Sequence, residues 1–288
     1  MPSPSSGMLT AVFRDLLVHV TADEAGERRV TYALDLASQL DARLTGVHVL
    51  TEPDVPPVFK PSRVAEAAAR LAKREKSAAE RAETLFRRVV KGRKPPTRWI
   101  GLSGHMAAKV CECARYTDVV IVGHEPTEVS AERDPRSLSE IIVQSCGRPV
   151  IVLAEDLLAA RLPQRILLAW DGSREAVRAV HDALPLLRSA DLTVALVANA
   201  EDRHLATDVA KGGDLADHLG RHGVKISHAE TRTFPHDEVK AVFDYLASSE
   251  FDLLVMGAYS HSAWREFLFG GMTSSAIQSA RLPVFFSH

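Results

Sequence analysis

The sequence predicts an α/β protein built from two tandem, doubly wound parallel-sheet domains. Three observations carry that expectation. Short apolar runs alternate with amphipathic helical stretches along the chain, the pattern of βαβ units. The runs are continuously apolar, as strands covered on both faces require. The same order of segments occurs twice. Asp15-Leu-Leu-Val-His-Val-Thr21 is matched by Arg165-Ile-Leu-Leu-Ala-Trp-Asp171, and Asp118-Val-Val-Ile-Val-Gly123 by Asp252-Leu-Leu-Val-Met-Gly257. Arg148-Pro149-Val150 is matched by Leu282-Pro283-Val284.

The second copy reads in order as follows. Its first strand is Arg165–Trp170. A helix over Ser173–Arg188 carries Ala176, Val177, Val180, Ala183, Leu184 and Leu187 on one stripe. A strand at Leu192–Ala198, a helix at Thr207–His222 and a strand at Lys225–Glu230 come next. The stretch His236–Ser249 has Val239, Val242, Phe243 and Leu246 at helical spacing. A strand at Asp252–Gly257, a helix at Thr273–Ala280 and a last strand at Pro283–Ser287 complete it.

The first copy is longer in its middle, between Glu52 and Pro96. There Pro53, Pro56, Pro57 and Pro61 mark a loop, and Val64–Val90 reads as a long alanine-rich helix. That helix and its flanks are basic: Arg70, Lys73, Arg74, Lys76, Arg81, Arg87, Arg88, Lys91, Arg93 and Lys94. The expectation is a solvated face with pairing to Glu66, Glu75, Glu80 and Glu83. The boundary falls after Val150–Leu153, with Glu155–Gln164 as linker, giving domains at 10–154 and 165–288.

Composition bounds the partners. The 288 residues are 46% hydrophobic and 25% charged, with 35 basic against 37 acidic side chains, an ordinary globular balance. A net charge of −2 supplies no whole-molecule argument for nucleic acid or membrane binding. No apolar run approaches the ~18 residues of a membrane span, and residues 1–7 do not read as a secretory signal. Cys111, Cys113 and Cys146 cannot make a disulfide framework, so reduced thiols and a cytoplasmic setting are expected.

Ligands of open α/β sheets bind beyond the carboxyl ends of the strands, where strand order reverses. Asp171 and Gly257 stand at such ends. Asp171 serves equally well on paper as a ligand-binding carboxylate or as a helix cap, and Ser173 is the other candidate cap. After Gly257, Gly270-Gly271-Met272-Thr273-Ser274-Ser275 precedes a helix, where exposed N–H groups let phosphate approach. There is no G-x-x-x-x-G-K-[ST] and no G-x-G-x-x-G after the first strand, so fast ATP hydrolysis is not indicated.

Together these segments resemble the universal stress protein family in its tandem two-domain form. A first strand ending in Asp171-Gly172-Ser173 and a Pro-Val at each last strand are typical of it. So is Gly-x2-Gly-x9-Gly-(Ser/Thr), matched at Gly257 and Gly270. Ser260 replaces the second glycine of that motif, and Gly271 replaces its hydroxyl residue.

The resemblance implies a Rossmann-like, adenine nucleotide alpha hydrolase-like fold whose halves pack as a pseudo-dimer through their last strands. It implies a stress-response protein that binds ATP or a related adenine nucleotide, with Mg²⁺ accompanying it, and turns it over slowly or not at all. Asp171 would meet the adenosine, with Gly172 and Ser173 beside it in the binding turn, and Val197 would line the adenine. The phosphates would rest on Gly257, Ser260, Gly270, Gly271, Met272 and Thr273. The first copy has Thr21 in place of Asp171 and an acidic Glu125-Pro126-Thr127-Glu128, so no nucleotide is expected there. The alternative is a scaffold of the same fold that acts through protein contacts, as a single chain or a further homodimer. His218 and His222, with Asp214 a turn earlier, have metal-ligand spacing but lack a supporting motif. Trp170 reads as core packing.

Overall fold

The structure is a computed structural model. It describes residues 13–51, 61–124, 137–154, 162–198, 212–231, 238–258 and 282–288. The first half runs β1 (Asp15–His19), α1 (Glu24–Leu40), β2 (Arg43–Leu50), α2 (Pro61–Val90), β3 (Thr97–Ser103), α3 (Met106–Ala114), β4 (Val119–Gly123), α4 (Leu138–Ser145) and β5 (Val150–Leu153). The second runs β6 (Arg165–Trp170), α5 (Arg174–Ser189), β7 (Leu192–Ala198), α6 (Gly212–Arg221), β8 (Ile226–Thr231), α7 (Glu238–Ser248), β9 (Leu253–Gly257) and β10 (Val284–Ser287).

The strands form one ten-stranded sheet in the order β3-β2-β1-β4-β5-β10-β9-β6-β7-β8. Neighbours within each half are parallel. The halves join where β10 runs antiparallel to β5, with Val284 opposite Val152, Phe285 opposite Ile151 and Phe286 opposite Val150. All six side chains are buried. The expected pseudo-dimer is therefore a continuous sheet that leaves neither last strand as an open edge.

Both sheet faces are covered, which is why the strands are apolar throughout. One core layer gathers Leu16, Val18, Leu44 and Ile121 with α1 and the end of α2, and Ile166 and Val255 with α5 and α6. The other gathers Leu17, Val120 and Val152 with α3 and α4, and Leu254 and Phe286 with α7.

The repeat extends to hydrogen bonding. Asp118, just before β4, accepts the backbone N–H groups of Arg14 and Asp15 at 2.6 and 2.9 Å. Asp252, just before β9, accepts those of Gln164 and Arg165, both at 2.9 Å. Each aspartate ties the start of its half's first strand to the neighbouring strand.

The main departure from the sequence reading is α2, which begins at Pro61 instead of Val64. Proline fits the first helical position because the N–H it lacks would be unpaired there anyway. The first part of the expected helix at 207–222, residues 207–211, and the whole expected helix at 273–280 lie outside the described residues. The expected pairing along α2 is sparse. Arg87 bonds Glu83 at 2.6 Å, but Arg81 turns to Ser77 and Arg88 reaches Glu27 of α1. Neither Glu75 nor Glu80 forms an ion pair among the described residues.

Candidate functional site

In the second half the strand order reverses between β6 and β9, and Asp171 and Gly257 flank that point. Trp170 ends β6 and sits in register with Val197 of β7, so Val197 lies beside the strand that leads into Asp171. Trp170 packs against the core, as expected.

The turn from β6 to α5 is built by side chains. Gly172 takes φ +72, a conformation L side chains rarely adopt. Ser173 is the N-cap of α5, its Oγ accepting from Ala176 N at 3.1 Å. Asp171 Oδ1 in turn accepts from Ser173 N at 2.9 Å and from Ser173 Oγ at 2.5 Å. The serine is thus the cap, and the aspartate braces the serine. That arrangement sets a carboxylate at the carboxyl end of β6.

Gly257 is required by close approach. A Cβ there would fall 2.5 Å from Ala176 N and 2.5 Å from the Glu175 carbonyl carbon. The first turn of α5 therefore rests directly on the end of β9. Glu175, which the sequence reading did not single out, is 6% exposed and bonded by Arg174 Nε at 2.6 Å. Burial pushes its carboxyl up, but the Arg174 hydrogen bond, a backbone N–H and the charges of Arg174 and His288 outweigh that and hold it low. The end of β10 closes this side. Ser287 Oγ donates to Asp182 at 2.6 Å, and His288 Nδ1 lies 3.2 Å from the Ala258 carbonyl. Ser260, Gly270, Gly271, Met272 and Thr273 fall outside the described residues.

The same place in the first half is built differently. Thr21 stands where Asp171 would, and its hydroxyl donates to the α1 cap Asp23 at 2.7 Å. Counting equal steps from the caps Asp23 and Ser173 aligns Arg29 with Ala179. Arg29 is 3% exposed. Its Nη1 donates to the His19 carbonyl at 3.0 Å and lies 3.5 Å from His19 Nδ1. The guanidinium covers Gly123, where a Cβ would fall 2.0 Å from Nη2.

Three buried histidines surround this cation's end of the sheet. Burial, then the charges of Arg29 and His48, lower His19 to about 3, so its ring is neutral. His48 Nδ1 donates to the Val20 carbonyl at 2.7 Å. His124, following β4, is 1% exposed with no hydrogen-bond partner for either ring nitrogen among the described residues. Burial lowers its pKa. Glu125 and Glu128, the sequence argument against phosphate here, lie outside the described residues. The signal for Arg29 was present: it shares the buried stripe of α1 with Gly26, Val30, Ala33 and Ala37.

The remaining candidates separate. His218 and His222 lie 4.7 Å apart by ring centroid, and His181 of α5 joins them at 5.7 and 6.3 Å. Arg188 donates to the His222 carbonyl at 2.8 Å and approaches its Nδ1 at 3.4 Å. No group of three ligating residues is posed to hold a metal among the described residues. The three thiols are free. Burial raises all of them, Cys111 to about 11, which disfavours the thiolate form. No described helix is long and apolar enough to cross a membrane.

Two doubly wound halves, each with a switch point in its strand order, define a tandem Rossmann-like α/β protein. The chain belongs to the universal stress protein family, whose model matches residues 13–155 and again 163–288. It is similar to the universal stress protein Slr1230 of Synechocystis, at 24% identity over 168 residues. That match covers 58% of this chain and 56% of the relative, so the chain spans little over half of the relative's length. A universal stress protein crystal structure from Archaeoglobus fulgidus shares the fold, with TM-score 0.66, 16% identity and 95% of each chain covered. A functionally unknown protein, PA1789 of Pseudomonas aeruginosa, shares it with TM-score 0.53, 12% identity and 96% and 92% of the chains covered.

Proposed function

We propose that this chain binds ATP or a related adenine nucleotide at one place, the switch-point crevice of its second half. In this reading the domains divide at 10–154 and 165–288, and the first domain is a structural partner. The observation that carries the reading is the contrast at equivalent positions. The second half presents the Asp171 carboxylate and a small Ala179, whereas the first half presents Thr21 and lays Arg29 across Gly123. A carboxylate at the end of β6 suits hydrogen bonds from a ribose hydroxyl or an adenine amine. Val197 supplies an apolar neighbour. Gly257 and the loop from Ser260 to Thr273 would hold the phosphates, with Mg²⁺ accompanying them. The sequence lacks a P-loop lysine, so the nucleotide is held with slow turnover or none. The setting is the cytoplasm, where adenine nucleotides and reduced thiols occur together.

The test is mass spectrometry of small molecules released from purified protein, followed by titration of wild type and Asp171→Ala with MgATP. The expected result is a released adenine nucleotide and at least tenfold weaker binding by the variant. No binding by wild type at millimolar ATP sinks the reading.

One observation favours the alternative, a scaffold that works through protein contacts. Glu175, whose backbone and Cβ pack against Gly257, carries a buried carboxylate in the first turn of α5, and a negative charge there would repel a polyphosphate. Glu175→Gln separates the two readings: tighter ATP binding means the carboxylate only weakens a real site. Absent binding in both proteins leaves the scaffold.

A further inference from the structure

We propose that the projecting amino-terminal half of α2 is a docking element for an acidic amphipathic helix of another protein. The helix has 30 residues, about 45 Å at 1.5 Å per residue. Beside it, β2 has only 8 residues, about 26 Å of strand. The chain leaves β2 at the carboxyl edge of the sheet, and α2 runs back along it, so the excess length overhangs that edge.

Burial marks where the support ends. Ala82, Leu85 and Phe86 are buried against the first half's core. Phe86 lies over Gly46, where a Cβ would come within 2.6 Å of its ring, and stacks at 5.4 Å on Trp99. Residues 69–74 and 76 are exposed on every side of the helix.

The overhang keeps the pattern of the packed part. Leu71, Glu75, Ala78, Ala82, Leu85 and Val89 recur at alternating steps of four and three, the spacing of a coiled-coil seam. The carboxyl-terminal members of that seam are buried or packed against the core. Leu71, on the same line, is 40% exposed. The seam that seats α2 thus continues past the body, and no partner lies on it among the described residues.

Charge selects the partner. Arg70, Arg74, Arg81 and Arg88 fall within about 40° of one another around the helix axis at 100° per residue. Arg81 and Arg88 are engaged by Ser77 and Glu27. Arg70, Lys73, Arg74 and Lys76 meet no carboxylate among the described residues. Of these, Arg70 and Arg74 flank one side of the seam, and a cationic flank is completed by a helix bordered by Glu or Asp. A second copy of α2 would instead set cations against cations. A lipid surface is disfavoured by size: among the described side chains of the overhang Leu71 is the one large apolar group, worth about 1.5–3 kcal/mol when buried. Alanines at 69, 72, 78 and 79 add little to lipid binding but let another helix approach closely.

The test uses the full chain and a fluorescently labelled synthetic peptide of about four heptads, with Leu at the seam and Glu on both flanks. Fluorescence anisotropy should report micromolar binding that weakens at least tenfold in Arg70→Glu/Arg74→Glu and in Leu71→Glu, and also in high salt. A Lys-flanked peptide should not bind. Because the altered side chains are exposed, the variants should keep the wild-type melting temperature, which excludes unfolding as the cause. Three results would overturn the proposal: no binding of the Glu-flanked peptide, equal binding of the Lys-flanked one, or unchanged binding by both variants. Co-sedimentation with anionic phosphatidylserine vesicles, or self-association lost in Leu71→Glu, would assign the surface to lipid or to a second copy and equally overturn it.

Discussion

The two switch points differ at an aligned pair of buried residues on the first helix of each half. Arg29 and Ala179 sit equally far from their helix caps, and both are buried. In the first half the guanidinium lies over the glycine that ends β4. In the second half no long side chain reaches across from Ala179; the first turn of α5, with the backbone and Cβ of Glu175, comes down onto the glycine that ends β9. One fold therefore closes the same gap in two ways, and only one of them leaves a carboxylate at the end of the central strand.

The comparison is broken most severely by removing the arginine. Arg29→Ala should destabilise the protein by about 3 kcal/mol in urea denaturation, because it leaves a void over Gly123 and removes the buried donor to the His19 carbonyl. A loss under about 1 kcal/mol would mean the guanidinium is not structural. The two glycines should then rank. Gly257→Ala drives a methyl into the backbone of α5 and should cost about 2 kcal/mol. Gly123→Ala meets only the far end of a flexible arginine and should cost less.

Acid sharpens the contrast further. The folded protein holds His19 at about 3, below the unfolded value of 6.5. Between those values the unfolded chain binds the extra proton, so stability falls as pH drops below about 6.5 and levels off below about 3. From pH 6.5 to 5 one such group accounts for about 2 kcal/mol. His19→Gln should flatten that slope in denaturation curves at the two pH values. An unchanged slope would move the effect to other groups, such as His124.

The smallest effects test where the halves agree. Asp118→Ala and Asp252→Ala each remove one carboxylate that holds two backbone N–H groups. They should cost about 1.5 kcal/mol apiece, to within a few tenths of each other, by chemical denaturation. A large inequality would show that the repeated clamp is not equally important.

Much of this fold was legible in the sequence for a physical reason. Strands buried on both faces must be apolar throughout, so Leu192–Ala198 could be read without error at either end. Helix starts were harder. Pro61 signals a loop in isolation and a first helical turn in context. The antiparallel junction of β5 with β10 leaves no mark in the apolar pattern of either strand, and it was anticipated only through the family resemblance. At the site, Asp171-Gly172-Ser173 could not be divided into cap and ligand from spacing, because both residues cap helices well. Only the hydrogen bonds assign the cap to Ser173. Arg29 was missed because one long cation on an apolar stripe reads as a side chain reaching out to water.

The central claim is that the chain has one nucleotide site and that it depends on Asp171. Equilibrium titration with MgATP tests it most directly, counting sites per chain in wild type, Asp171→Ala and Thr21→Ala. The account predicts one site per chain, lost in Asp171→Ala and retained in Thr21→Ala. Two sites per chain, or one that survives Asp171→Ala, would contradict it.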